Sequence, residues 1–249
     1  MVPTAAGSAS SNIVASTDTV AINRGIEAIC RAFRSTHLCI AFITEIDNTP
    51  PPYPSPSVDH ARLVAHFSPG ILPAVQEHGA VMVEAGDFSA VAIWEPPTFA
   101  GVPFPEKMRN GRPLREEWAN ACKAAKKKYL GTTMKASTEN DGSQTTPTQI
   151  NPFYHLWILG RDPDTPAAPG AISAVVKPFL RRAKEEGFAV WLEATTKYAM
   201  AIYEHYGFVV VEELTIGKGR RDRDGWPQTG GPGVTAWAMI YNAQENLNV

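Results

Sequence analysis

Three cysteines in 249 residues, Cys30, Cys39 and Cys122, are too few and too irregularly spaced for a disulfide framework or a zinc site. Their odd count fits reduced thiols, and with them a cytoplasmic setting. The six histidines form no His-Glu-x-x-His or comparable ligand spacing, so no metal is expected. No apolar run approaches the roughly 20 residues that span a bilayer. The N-terminus, MVPTAAGSASSNIVAS, lacks both the basic and the apolar regions of a secretory signal. Net charge is only −2, which removes any general attraction to nucleic acid or to an anionic membrane. No internal repeat is visible. What these absences leave is a globular chain, 44% hydrophobic, long enough for one large domain with a full core.

Residues 1–17, rich in Ser and Ala, read as a poorly ordered tail, and residues 18–249 as a single domain. Asp18 can cap a helix over 18–35, in which Ile22, Ile26, Ile29 and Phe33 recur at near-helical spacing. HLCIAFI, residues 37–43, is a continuous apolar run: a buried strand, or a continuation of the preceding helix. TPPPYPSPS then breaks regular structure, since each proline fixes φ and removes a donor. A second helical region covers 57–78, with interruptions expected near Pro69 and Pro73 and an end at Gly79. Val81–Glu84 and Ala90–Trp94 read as strands around a Gly86-Asp87 turn.

EPPTFAGVPFPE is a proline-rich loop leading to a helix over about 113–129, whose Lys123, Lys126, Lys127 and Lys128 read as a solvated face. Residues 131–149 are polar and read as an insertion within the domain. Beyond them the pattern is regular: strand 154–161, helix 171–187, strand 189–194, helix 197–206, strand 208–214, a Gly/Pro/charged loop, and strand 234–241. The alternation predicts an α/β (α+β) class, with strands 154–161 and 189–194 parallel and the last two antiparallel.

HLWILGRDP, followed by PGAISAVVKPFLRRAKEEGFAVWLEATTKYAMAIYEHYGF, resembles the core of the GNAT N-acetyltransferases over roughly residues 153–241. Strand Leu156–Arg161 with Asp162-Pro163, strand Trp191–Thr195 and Tyr203–Phe208 stand where that family has its V-x-P-type turn, its L-E-A-T-like strand and its Tyr-x-x-x-Gly-Phe. AIWEPP, ending at Pro97, resembles the family's A-x-W-x-P-P. The resemblance implies a mixed central sheet with splayed parallel strands flanked by helices. It also implies acetyl-CoA as co-substrate, no metal, and a small-molecule amine as acceptor.

On that resemblance, Leu159, Gly160 and Arg161 offer a free main-chain edge to the amides of pantetheine, with Thr195 across the splay. The pyrophosphate would sit on the first turn of the next helix, at Ala168, Gly170, Ala171 and Ser173, where free N–H groups and the helix dipole favour an anion. The family's Gln/Arg-x-x-Gly-x-Gly/Ala loop falls here on Ala167, Ala168, Gly170 and Ile172, so that Gly170 alone survives. Tyr203 takes the place of the family's acid, a phenol near pKa ~10 able to protonate a thiolate whose thiol lies near ~8.5. Glu95 and Glu193 are the candidate bases. Trp94, Phe99, Phe104, His155 and Trp157 are the candidate acceptor contacts. The worn loop keeps a second expectation open: a GNAT-like fold that has lost CoA use and serves a different reaction or binds a small ligand.

Overall fold

The computed structural model describes residues 9–46, 48–103, 112–132 and 149–242. Helices α1 (Thr19–Phe33), α2 (His37–Ile46) and α3 (His60–Gln76) precede strands β2 (Val81–Ala85) and β3 (Ala90–Glu95), while β1 (Ser11–Ile13) opens the chain. Next come α4 (Pro113–Leu130), the two-residue strands β4 (Gly131–Thr132) and β5 (Gln149–Ile150), and β6 (Phe153–Arg161). α5 (Ala171–Glu186), β7 (Ala189–Ala194), α6 (Lys197–His205), β8 (Val209–Ile216) and β9 (Val234–Tyr241) complete it. A seven-stranded mixed sheet runs β1-β2-β3-β6-β7-β9-β8, with β6 and β7 parallel and every other pair antiparallel.

Three expectations change. HLCIAFI is helical: seven consecutive buried residues, Leu38–Thr44, let α2 be apolar on nearly all sides, so period carries no signal there. α3 runs through Pro69 and Pro73 without interruption; the prolines are four apart and the carbonyl of Pro73 accepts from Glu77 and His78 at the helix end. The expected tail over 1–17 holds a strand from Ser11, paired to β2, with Asn12 Nδ2 donating to Glu84 Oε1 at 2.6 Å. Residues 133–148 of the polar insertion lie outside the described residues; its flanks pair as β4 and β5.

Side chains of the sheet alternate between two covered faces. On one face Trp94, Tyr154, Leu156, Val190 and Leu192 meet Val175, Val176, Phe179 and Leu180 of α5 and Tyr203 of α6. On the other, Val91, Ile93 and Ile158 meet α1 and α3, while Trp191, Ala238 and Ile240 meet α4. α2 reaches both groups on this second face. Side-chain caps fix three helix starts: Asp18, Asp59 and Thr196 accept from the amides of Ala21, Arg62 and Ala199.

Candidate active site

β6 and β7 pair through three residues only, Phe153↔Ala189, Tyr154↔Val190 and His155↔Trp191. Beyond His155 the strands part, and β6 continues to Arg161 paired on its other edge alone, to β3. The register of β3 against β6 slips between Ile93 and Trp94, leaving Trp157 as a bulge residue with no partner. The slip also flips the side-chain order, so Leu156 and Leu159 face the α5 side while Ile158 faces α1 and α3. The result is a gap in the pairing of the sheet. Tyr203 lies on one face of it, and Glu95, His155 and Glu193 meet on the other.

On the second face these three residues form one chain of hydrogen bonds. His155 is 8% exposed; its Nδ1 lies 2.6 Å from Glu95 Oε2 and its Nε2 lies 2.9 Å from Glu193 Oε2. Carboxylate oxygens accept, so this geometry is satisfied by an imidazolium that donates from both nitrogens. Burial and Lys126 pull the imidazole pKa down, but Glu193 and Glu95 outweigh them and it is raised overall. Glu193 also accepts from Trp191 Nε1 at 2.7 Å and meets Lys126 Nζ at 3.3 Å. Burial raises its pKa, yet Lys126, His155 and the donated hydrogen bonds hold it far below the usual carboxylate range. Glu193 is therefore held as an anion, with its oxygens engaged by His155, Trp191 and Lys126. Among the described residues Glu95 keeps a single partner, His155, and it lines a cavity of about 300 Å³ together with Pro96, Pro97, Phe99, Lys126 and Phe153.

The other sequence-predicted residues divide. Phe99 lines this cavity, and half-buried Trp157 packs against the α1–α3 core where β6 has parted from β7. Trp94 does not reach it: fully buried on the opposite face, it stacks on Phe179 at 4.7 Å and donates Nε1–H to Val175 O at 3.1 Å. It is a core residue, because strand alternation turns it away from Glu95. Phe104 lies outside the described residues. Lys126 and Phe153 were hidden in the sequence, the first inside a lysine run. For Lys126 the signal was helical spacing: it adjoins the inward stripe of Leu114, Trp118, Cys122 and Ala125 on α4.

Tyr203 is 7% exposed, edge-on to Phe208 at 5.9 Å, and burial alone pushes its pKa up. It is thus a phenol and not a phenolate, as an acid requires. Leu159, Gly160 and Arg161 belong to the stretch of β6 that pairs with β3 alone, and Thr195 follows β7 before α6. A Cβ on Gly160 would lie 2.9 Å from that of Ala32, so α1 packs directly on the strand. The loop from Asp162 is anchored firmly. Asp162, with no exposed side-chain surface, receives both Nε and Nη2 of Arg31 at 3.0 and 2.7 Å and the amide of Asp164 at 3.0 Å.

At the start of α5, Gly170 holds φ +81° and the amides of Ile172 and Ser173 have no backbone acceptor among the described residues. These fit an anionic group. The remainder of the loop is committed elsewhere: the amide of Ala168 donates to Ser89 Oγ, that of Ala171 to Ala168 O, and Ser173 Oγ meets Tyr206 Oη at 2.9 Å. A Cβ on Gly86 would lie 2.4 Å from Ala168 Cβ, which shows how closely the loop sits on the β2–β3 turn.

No protein-family model matches the chain. It is 27% identical over 163 residues, 66% of its length, to an uncharacterised protein of Saccharomyces cerevisiae. Over 90 residues, 36% of its length, it is 30% identical to increased recombination centers protein 11 of the same yeast. The matched segments span 61% and 58% of these two relatives. Similar solved structures include the C-terminal condensation domain of Ebony in complex with beta-alanyl-dopamine, with TM-score 0.56, 13% identity, and 94% of this chain and 98% of that one covered. The histone acetyltransferase HPA2 and related acetyltransferase of Corynebacterium glutamicum gives TM-score 0.51 at 16% identity, covering 97% and 99%. Mosquito arylalkylamine N-acetyltransferase like 5b gives 0.51 at 14%, covering 94% and 99%. At such identities the likeness is one of architecture, and it agrees with the parted strands and the Tyr-x-x-x-Gly-Phe helix end: the chain has the GNAT N-acetyltransferase fold.

Proposed function

We propose that the protein transfers an acyl group from acyl-CoA, acetyl-CoA in the simplest case, to the amine of a small molecule, without a covalent enzyme intermediate. The observation that supports this reading is the parting of β6 and β7, with the buried phenol of Tyr203 on one face of the sheet and the carboxylate of Glu95, one oxygen bound to His155, on the other. The free edge of Leu159, Gly160 and Arg161 and the amides of Ile172 and Ser173 are the groups that would hold CoA. Acyl-CoA supplies the activated thioester. Glu95 takes a proton from the acceptor's ammonium, giving the nucleophilic amine, and Tyr203 gives a proton to the sulfur as the C–N bond forms and the C–S bond breaks. Of the two protons the ammonium sheds, one is matched on the thiol and the other is released to solvent. Cys30, Cys39 and Cys122 are buried thiols with pKa values raised by burial, poor candidates for an acyl carrier.

Tyr203→Phe is expected to slow turnover about tenfold, less than the usual 10²–10⁴ for an acid–base group, because a thiolate leaves with modest help. CoA affinity, read by calorimetry, should stay as it was. A second reading is favoured by the loop, where one glycine remains and Ala168 and Ser173 are already bonded: a small-ligand protein that no longer uses CoA. Calorimetry decides between them. No heat from CoA at millimolar concentration retires acyl transfer and leaves the second reading.

A further inference from the structure

The cavity beside Glu95 holds charges of both signs, and their sum is informative about what it admits. Glu95 borders it on one side with Oε2 bound to His155 and Oε1 without a partner among the described residues. Lys126 borders it on another, 17% exposed, with Nζ 5.5 Å from the centre of the Phe153 ring, 5.9 Å from that of Trp191 and 3.3 Å from Glu193 Oε1. An ammonium has three N–H donors, and Glu193 engages one of them. With His155 donating from both nitrogens, Glu95 and Glu193 are balanced by His155 and Lys126. The set is neutral. Half-enclosed sites resist an uncompensated charge, so a ligand that changes this sum enters at a cost.

A simple alkylammonium would make the site positive. A molecule carrying both an ammonium and an acid group leaves it neutral, and each end finds a partner of opposite sign. The other walls are mostly apolar, with Pro96, Pro97, Phe99 and Phe153 beside the polar Asn151. At about 300 Å³ the cavity stands at the small end of ligand sites. We propose that the acceptor is a zwitterion, an amino acid with an apolar body, its ammonium at Glu95 and its carboxylate at Lys126. The proposal rests on acyl transfer as the reaction and assigns Lys126 as the residue that sets acceptor specificity.

Matched pairs test it: phenylalanine against phenethylamine, and 5-aminopentanoate against pentylamine, each assayed for kcat/KM with acetyl-CoA and for binding alone by calorimetry. In the native protein the acid-bearing member should be preferred at least tenfold. Lys126→Met should lower kcat/KM for the acid-bearing member about 10- to 100-fold further than for the bare amine, the range for a hydrogen bond to a charged group. Lys126→Arg should restore much of the preference, which a residue that merely braces Glu193 would not do. Lys126→Gln, which keeps a hydrogen-bond donor, serves where Lys126→Met fails to give a native circular dichroism spectrum. Equal or better use of the bare amine, or an equal loss for both members in the variant, overturns the proposal. Acceptor binding without CoA separates the two levels: absent CoA binding sinks acyl transfer, whereas a Lys126-dependent preference in binding alone sustains the zwitterion site.

Discussion

Glu95→Gln is expected to lower kcat/KM about 10²–10⁴-fold, the range for loss of a positioned base, while CoA binding and the far-ultraviolet spectrum stay native. The amide keeps an oxygen that can accept from His155 Nδ1, so the hydrogen bond at 2.6 Å survives and only the proton acceptor is lost. Glu193→Gln should behave differently. That carboxylate is one of two counter-charges around a buried imidazolium and the partner of Lys126, so its loss should lower the His155 pKa and weaken the fold. The sign follows from the raised pKa of His155. Its contribution to stability is full below the unfolded value near 6.5 and is lost as pH rises through the higher folded value. Steady-state kinetics beside denaturation across pH separates the two variants; a Glu95→Gln enzyme with native kcat/KM would remove Glu95 from the chemistry.

Arg31→Ala should cost about 3–5 kcal/mol, the effect of stripping a buried charge of its partner. Asp162 has no exposed side-chain surface, and the fork of Arg31 is its one cationic hydrogen-bond partner among the described residues. Burial raises the Asp162 pKa, but Arg31 and the Asp164 amide outweigh it and the net shift is downward. The stability this provides is present above the unfolded carboxyl value and is lost as pH falls through the lower folded one. The gap between native and variant in urea melts should therefore be widest near neutrality and narrow below about pH 4. An equal gap at all pH values would mean that Arg31 acts by packing alone. Because Asp162 begins the loop that leads to α5, the variant should also bind CoA more weakly.

Elements with a clear period were legible in the sequence: α1, α5 and all the strands from β6 onward stand within two residues of their expected bounds. α2 was not, because a segment buried on all sides has no polar face to set its phase. β1 was missed because Ser11 and Asn12 are as polar as any loop, and only the partner strand makes them a strand. At the site, Glu95 and His155 were legible as types and positions. That Glu193 is engaged by several donors and Glu95 by His155 alone among the described residues was not, since that depends on Trp191 and on Lys126 arriving from a helix 67 positions away from Glu193 in sequence. Trp94 misled through its neighbour: adjacent strand residues point to opposite faces, and the site is on the face of Glu95.

The same strand order has a consequence for how the molecule comes together in time. β2 and β3 are joined by a turn of four residues, 86–89, and need little chain closure to pair. β3 and β6, neighbours in the sheet, must meet across the whole excursion from Pro96 to Pro152, which contains α4. Pairings of such separation form slowly, since chain entropy is spent before contacts reward it. Glu95 comes from β3 and His155 from β6, so their hydrogen bond does not exist until that long closure is made, whereas His155 and Glu193 meet through the shorter β6–β7 connection. On refolding, fluorescence of buried Trp94 and Trp191 should therefore recover no later than acceptor binding, since the complete site needs that closure.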